Sequence, residues 1–233
     1  SGQAEAAARF RLEASSACRV DHPNAVVVLD SGISKEGIAY LVMELLIGHT
    51  LQIELSQHGT LPLARSLEII NPVCSVLIAA HAVGVIHRDI KPENIFLHQS
   101  KEGEVVKVLD FGIAKTAATS ARVRPITMKG AMMGTPHYMA PEQVFGEDDV
   151  DARADVWALG VVLHECLSGL RPFRGATFGE IFKQIALAEV PSLEALVPTT
   201  PPELADLVRR MLSRSRFERP TLAEVEEVLT RLL

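Results

Sequence analysis

The sequence H-R-D-I-K-P-E-N, at residues 87–94, says more about this chain than any other stretch, and D-F-G follows closely at residues 110–112. The first motif supplies a carboxylate from Asp89, an ammonium group from Lys91 and an amide from Asn94, and the second supplies a carboxylate from Asp110. Such groups can orient a hydroxyl nucleophile, meet a transferring phosphate and bind a hard metal ion. Together they predict a phosphoryl-transfer centre.

A third motif, G-T-P-H-Y-M-A-P-E, occupies residues 134–142. With the three motifs in this order, the chain resembles the protein kinases from about residue 9 to its end. Lys91 and Thr135 make it similar to the serine/threonine kinases of the eukaryotic-like type found in bacteria. The resemblance implies an α+β, protein kinase-like fold, with a small N-terminal lobe of strands and one helix and a larger helical C-terminal lobe.

The resemblance also implies an activity and a role for each motif residue. The activity is transfer of the γ-phosphate of ATP to Ser or Thr hydroxyls of protein substrates. Asp89 would orient the acceptor hydroxyl, Lys91 would stabilise the γ-phosphate, and Asn94 and Asp110 would hold Mg²⁺. Thr135 completes the implied catalytic set.

Y-L-V-M-E-L-L, at residues 40–46, resembles the strand and hinge that hold adenine in this family. Met43 would be the gatekeeper, Glu44 and Leu46 would offer backbone groups, and Phe96 would pack beneath the ring. Taken without its neighbours, the segment is equally typical of a buried strand.

Other motif residues are expected to have structural roles. In the family, the rings of His87 and Phe111 stack. Glu142 and Arg219 resemble a buried ion pair that ties the activation segment to late helices, and Asp155 resembles a helix carboxylate that braces the catalytic loop.

Arg88 and Thr127 are the predicted regulatory residues. A guanidinium beside the catalytic carboxylate can bind a phosphate on a neighbouring loop, which orders that loop only when it is phosphorylated. Thr127 is the leading candidate for phosphorylation, followed by Thr116, Thr119 and Ser120. The alternative for each of them, an unmodified hydroxyl exposed to solvent, fits the sequence about equally well.

The chain departs from the family pattern at its N-terminal end. Glu13 matches the helix glutamate of the ATP site, but no glycine-rich loop occurs and no lysine precedes Lys35. The expected organisation is a kinase domain cut before this helix, with an N-lobe remnant and hinge at residues 1–46 and a C-lobe at residues 47–233. Two functions are therefore open: a kinase, weak as this piece alone, or a catalytically silent binding module.

Composition limits the remaining classes. The 233 residues are 48% hydrophobic, which is enough for a large core. A net charge of −6 argues against general nucleic-acid binding. The longest apolar stretches, such as residues 73–80, are too short for a membrane span. Cys18, Cys74 and Cys166 fit reduced core positions. We expect no membrane contact by this segment and a cytoplasmic location, alone or as part of a longer membrane-anchored protein.

The spacing of apolar residues and the positions of glycine and proline predict the secondary structure. A kink or split of the helix near Asn71 is expected because Pro72 cannot donate a hydrogen bond to the Glu68 carbonyl. Gly48 is expected to break the chain before its mainly helical part. Residues 116–129 are expected to form a mobile loop. Helices are predicted at residues 4–19, 63–83, 154–167, 178–188, 202–212 and 222–232, and strands at 26–30, 39–43, 95–97 and 105–109.

Overall fold

The computed structural model describes residues 19–35, 37–111 and 136–233. These residues contain two small antiparallel sheets. One sheet is a hairpin of β1 and β2. The other has the order β3-β4-β5 and contains the strands that flank the H-R-D and D-F-G motifs. The strands are β1 (Val28–Ile33), β2 (Ala39–Met43), β3 (Gly48–Thr50), β4 (Ile95–Ser100) and β5 (Gly103–Val108).

Helices dominate the rest of the described chain. Threonine side chains begin three of the longer ones by accepting a hydrogen bond from the first turn: Thr50, Thr177 and Thr221. The α-helices are α1 (Leu51–His58), α2 (Leu63–Ala82), α3 (Pro141–Val144), α4 (Arg153–Ser168), α5 (Phe178–Leu187), α6 (Leu193–Leu196), α7 (Pro202–Met211) and α8 (Leu222–Leu232), with 3₁₀ turns at Pro92–Asn94, Pro136–Tyr138 and Arg216–Glu218.

Helix α4 is the centre of the core. Every residue from Ala154 to Leu167 is buried, so the helix is covered on all sides rather than along one stripe. Trp157 stacks on Phe173 with ring centroids 5.1 Å apart. A Cβ added at Gly160 would lie 2.9 Å from the Cβ of Met211, so the small residue lets α4 approach α7 closely. This rigid helix supplies the side chain that holds the catalytic loop.

Helix α2 runs without a break from Leu63 to Ala82, with Pro72 inside it. Of the kink or split predicted near Asn71, the split is therefore wrong, because packing on α4 and α8 keeps one helix in place despite the lost hydrogen bond. The kink stays a prediction. By length and composition alone, α2 could cross a membrane, and it is the one helix of the described residues that could. Half of that apolar window is buried within the fold, as expected of a core helix.

Other sequence predictions fare unevenly. The two hairpins and the helices predicted at residues 154–167, 178–188, 202–212 and 222–232 are confirmed to within a few residues at their ends. The first strand begins at Val28 instead of residue 26, and Gly48 starts strand β3 instead of breaking the chain. Helices α1, α3 and α6 are not among the predicted elements. The helix predicted at residues 4–19 and the loop predicted at 116–129 lie wholly or almost wholly outside the described residues.

Gly48 shows why a glycine begins β3. Its φ is +141°, and a Cβ there would lie 2.0 Å from the carbonyl oxygen of Leu97 on the paired strand. Only a residue without a side chain permits this approach. The glycine thus allows the segment after the hinge to pair with β4, directly beside the catalytic loop.

Candidate active site

A buried carboxylate holds the catalytic loop. Asp155, on α4, is fully buried and accepts hydrogen bonds from the backbone N–H groups of His87 (2.9 Å) and Arg88 (2.7 Å). The ring of His81, on α2, lies 2.8 Å from the same carboxylate. A buried carboxylate needs such donors, and here they fix the backbone just before Asp89. The bracing role predicted for Asp155 is confirmed.

Asp89, Lys91 and Asn94 form one contact group. The Lys91 ammonium lies 2.9 Å from Oδ2 of Asp89. The Asn94 amide nitrogen donates to the Asp89 backbone carbonyl at 2.8 Å and to Oδ2 at 3.2 Å. These contacts set the orientation of the carboxylate and place a positive charge beside it. Because Asn94 uses its amide nitrogen on Asp89, its amide oxygen faces away from that residue.

Backbone hydrogen bonds bring the D-F-G segment to this group. The N–H of Leu109 donates to the carbonyl of Asn94 at 2.9 Å, just after β5 ends. Asp110 follows with a left-handed backbone, at φ 57°, and its side chain is exposed. A left-handed aspartate is uncommon and often marks a functional position. The hydrogen bond thus places the backbone of the D-F-G segment next to Asn94.

His87 links the two motifs by more than packing. Its ring contacts Phe111 at a centroid distance of 4.9 Å, tilted by 56°, so the predicted contact is confirmed in a tilted form. Burial lowers the pKa of His87, so the ring is neutral at pH 7. Nδ1 then accepts from the Asp89 N–H at 3.3 Å while Nε2–H donates to the Leu109 carbonyl at 2.8 Å. The neutral tautomer therefore connects both catalytic segments.

The donor set suits a magnesium ion. Mg²⁺ prefers oxygen ligands and is commonly held by one or two protein groups together with substrate phosphates. Asn94 and Asp110 offer an amide oxygen and an exposed carboxylate of this kind. Within the described ranges, no cluster of three or more His, Cys, Asp or Glu side chains forms a metal site.

The hinge segment contains an ion pair that the sequence did not reveal. Lys107, on β5, is buried, and its ammonium donates to the Glu44 carboxylate at 2.7 Å. Burial alone would raise the pKa of Glu44, but the hydrogen bonds from Lys107 and the Val27 N–H outweigh it and lower that pKa. The signal in the sequence is a lysine that stands between two valines, Val106 and Val108, in a strand.

The predicted adenine residues lie along this hinge. Met43 ends β2 and pairs with Val28, and the Glu44 N–H donates to the Val27 carbonyl at 3.0 Å. Because its N–H is used in this bond, Glu44 has its backbone carbonyl as the candidate group for binding adenine. Leu46 is half-buried, and Phe96 lies on β4 opposite Thr50. Their roles toward ATP stay predictions.

The end of the activation segment is anchored by a buried ion pair. The Arg219 guanidinium donates to both carboxylate oxygens of Glu142, at 2.6 and 2.8 Å, and both side chains are buried. This confirms the predicted pair. Nearby, the Tyr138 hydroxyl donates to Glu165 at 2.6 Å, a contact that the sequence did not indicate. Burial raises the pKa of both Tyr138 and Glu165.

The family model described as "Protein kinase domain" matches residues 2–229. The chain belongs to the protein kinase family. Among curated relatives, it is 39% identical to the serine/threonine-protein kinase pkn3 of Myxococcus xanthus, over 93% of this chain and 40% of that protein. It is 38% identical to the serine/threonine-protein kinase PknL of Mycobacterium tuberculosis, over 91% and 51%.

A solved structure agrees with the fold. The crystal structure of the Mycobacterium tuberculosis PknI kinase domain, a double mutant, matches with a TM-score of 0.73 and 25% identity, covering 98% of this chain and 78% of that chain. The chain spans about half or less of the length of the curated kinases it matches. The α+β kinase fold predicted from the motifs is therefore confirmed.

Three predicted site residues lie outside the described residues: Glu13, Thr127 and Thr135. Arg88 is described, and its guanidinium donates to the Val150 carbonyl at 3.4 Å. Asp89, Lys91 and Asn94 lie in contact, and the hydrogen bond from Leu109 to Asn94 places the backbone before Asp110 beside them; the catalytic roles of these residues stay predictions. The division into residues 1–46 and 47–233 stays a prediction.

Proposed function

We propose that the protein containing this chain is a serine/threonine protein kinase, which transfers the γ-phosphate of ATP to Ser or Thr hydroxyls of other proteins. The observation that carries the proposal is the group of Asp89, Lys91 and Asn94, connected through the Asn94–Leu109 backbone bond to Asp110. The names of the bacterial relatives support Ser/Thr specificity. No observation favours the alternative of a silent binding module.

The chemistry follows from where the charges lie. As the acceptor hydroxyl oxygen forms its bond to the γ-phosphorus and the bond to ADP breaks, the hydroxyl proton passes to Asp89. Lys91, 2.9 Å from that carboxylate, places a positive charge where the transferring phosphoryl group gains negative charge. Asn94 keeps the carboxylate in one orientation, which lowers the entropy cost of reaching the reactive geometry.

Mg²⁺ is the proposed metal, held by Asn94 and Asp110. When bound, it would neutralise phosphate charge. Protein substrates, a cytoplasmic location and the absence of nucleic-acid or membrane contacts by this segment are further proposals. The net charge of −6 supports the statement about nucleic acids.

The test measures transfer of phosphate from γ-labelled ATP to a generic basic protein by the full-length protein. Asp89→Asn should lower turnover by about 10³-fold or more, because the hydroxyl loses its proton acceptor. Asp148→Asn, which changes an exposed loop carboxylate in the same way, is the matched control. Equal turnover by the wild type and Asp89→Asn would rule out this mechanism.

The 233-residue chain itself is expected to be much slower than the full-length protein. It has no glycine-rich loop or strand lysine to clamp the ATP phosphates. The same labelled-ATP assay compares the two, and equal turnover would contradict this expectation.

A further inference from the structure

Gln143, on the short helix α3, connects two parts of the molecule that lie far apart in sequence. Its side-chain oxygen accepts a hydrogen bond from the Ala140 N–H at 3.0 Å, which caps the start of its own helix. Its side-chain nitrogen donates to the backbone carbonyl of Arg88 at 3.1 Å, 55 residues away. The second bond is not needed for capping, so it requires a different explanation.

The residue that Gln143 contacts has an unusual backbone. Arg88 has a φ of 63°, in the left-handed region that residues with a Cβ rarely adopt. Such a conformation persists where the surroundings hold it. Here the Arg88 N–H donates to Asp155 on α4 at 2.7 Å, and the Arg88 carbonyl accepts from Gln143 on α3. Both backbone polar groups of this residue are thus held, from two different helices.

The peptide bond held in this way leads directly into the catalytic residue. The Arg88 carbonyl belongs to the same rigid peptide unit as the Asp89 N–H, and that N–H donates to His87. Rotation of this unit would move the Asp89 carboxylate relative to Lys91 and Asn94. Helix α3 is itself anchored by the buried pair of Glu142 and Arg219, so it is a firm support for the contact.

We propose that Gln143 is a positioning residue for Asp89: it holds the left-handed Arg88 peptide by donating to its carbonyl, and so couples the end of the activation segment to the catalytic loop. The proposal rests on the proposed kinase function. The competing explanation is that Gln143 only caps α3.

The substitution Gln143→Glu separates the two explanations. A carboxylate still accepts from the Ala140 N–H, so the cap remains, but it has no N–H to donate to Arg88. In the full-length protein, kcat should fall by about 10-fold, because a small displacement of a reacting group has effects of this order or larger. The KM for ATP should change by less than about 2-fold, and the thermal midpoint should stay near that of the wild type.

Two further variants complete the design. Gln143→Met removes both bonds, so kcat should fall as in Gln143→Glu and the thermal midpoint should fall as well. Gln57→Glu, at an exposed position near the end of α1, introduces the same charge away from the site and should leave kcat unchanged. An unchanged kcat in Gln143→Glu, or a loss of kcat seen only together with a loss of stability, would overturn the proposal in favour of a cap alone.

An NMR measurement on the 233-residue chain tests the contact without using activity. Loss of the hydrogen bond to the Arg88 carbonyl should shift the amide ¹⁵N resonance of Asp89 in Gln143→Glu, but not in Gln57→Glu. An unshifted resonance would overturn the proposal. If the resonance shifts while the full-length wild type transfers no phosphate, the contact stands and the proposed kinase function fails.

Discussion

The Asp89 carboxylate contacts an ammonium group at 2.9 Å and an amide at 3.2 Å, whereas the Asp110 carboxylate is exposed beside a left-handed backbone. Two aspartates from neighbouring motifs are therefore in different environments. The first is oriented by protein groups and suits a role toward the acceptor hydroxyl. The second is open to an incoming ligand and suits a role toward the metal and nucleotide.

This difference predicts separable defects in the full-length protein. Asp89→Asn should nearly abolish phosphate transfer and leave ATP affinity within about 2-fold, since an asparagine keeps the shape but accepts no proton. Asp110→Ala should weaken Mg²⁺-ATP binding itself by about 10-fold or more, because one metal ligand is lost. Nucleotide titration by calorimetry with and without Mg²⁺ checks both, and an equal loss of affinity in the two variants would contradict the assignment.

Phosphorylation of Thr127 is predicted to act through Arg88. If phosphorylated Thr127 binds the Arg88 guanidinium, Thr127→Ala and Arg88→Ala should each lower the activity of the full-length protein. The double variant should then be little worse than either single one, because both remove one interaction. Fully additive losses, or phosphosite mapping that finds Thr127 unmodified in an active preparation, would contradict the pairing. Thr127 lies outside the described residues, so its link to Arg88 comes from the sequence.

Two side-chain contacts hold a very short helix against the rest of the fold. Helix α3 has only four residues, yet it carries Glu142, paired with Arg219, and Gln143, bonded to Arg88. Its short length gives it little intrinsic helical stability, so these side-chain contacts keep it in place. The end of the activation segment is therefore held by one buried ion pair on one side and one amide on the other.

Breaking the buried pair should be costly. Glu142→Gln leaves the Arg219 guanidinium buried without its counter-charge, which should lower the free energy of unfolding by about 3–5 kcal/mol. Glu203→Gln, which removes the exposed partner of Arg231, should cost less than about 1 kcal/mol and serves as the control. Urea unfolding of both variants makes the comparison. Similar small losses would show that burial does not strengthen the Glu142 interaction.

The proline inside helix α2 is predicted to lower the stability of the fold. Pro72 lies inside a continuous helix and supplies no N–H for the Glu68 carbonyl. Pro72→Ala should therefore raise the free energy of unfolding, by at most about 3 kcal/mol. Thermal and urea unfolding measure the change. Ala79→Gly in the same helix should act in the opposite direction, by about 1 kcal/mol. No gain with Pro72→Ala would mean that the fold already accommodates the proline at no cost.

Histidines whose pKa is lowered by burial make the stability of the whole fold depend on pH. Burial lowers the pKa of four histidines, namely His22, His87, His137 and His164. For His137 the lowered pKa is about 4, and its Nδ1 lies 3.2 Å from Arg171, which favours the unprotonated ring. An unfolded chain takes up protons at these residues near pH 6.5, before the folded chain does. Acid therefore favours the unfolded chain.

The predicted result is a free energy of unfolding that is highest above about pH 6.5 and falls as the pH is lowered toward 4. Each histidine contributes a slope of at most about 1.4 kcal/mol per pH unit between its two pKa values. Glu165, whose pKa burial raises, acts in the opposite direction. Urea midpoints at pH 7.5, 6.5 and 5.5 measure the trend. His137→Gln should make it shallower, and an identical trend in that variant would exclude His137 as a source.

The sequence alone determined the family and the fold class, and its motifs indicated Asp89, Lys91 and Asn94, whose side chains lie in contact in the structure. It could do so because the H-R-D motif, Asn94 and the D-F-G motif are close along the chain, and short strands bring them together. Helices with clear apolar periodicity, such as α8, were also predicted correctly. Local signals were sufficient where the relevant contacts are local or carried by a motif.

Only the tertiary structure decided what depends on distant partners. Helix α2 stays continuous through Pro72 because α4 and α8 pack on it, and Lys107 is buried because Glu44 lies opposite. The contact between Gln143 and Arg88 spans 55 residues and involves a backbone carbonyl, for which a sequence has no signal. Packing energy and hydrogen-bond geometry between distant segments exceed local propensity at these positions, so they cannot be read from neighbouring residues.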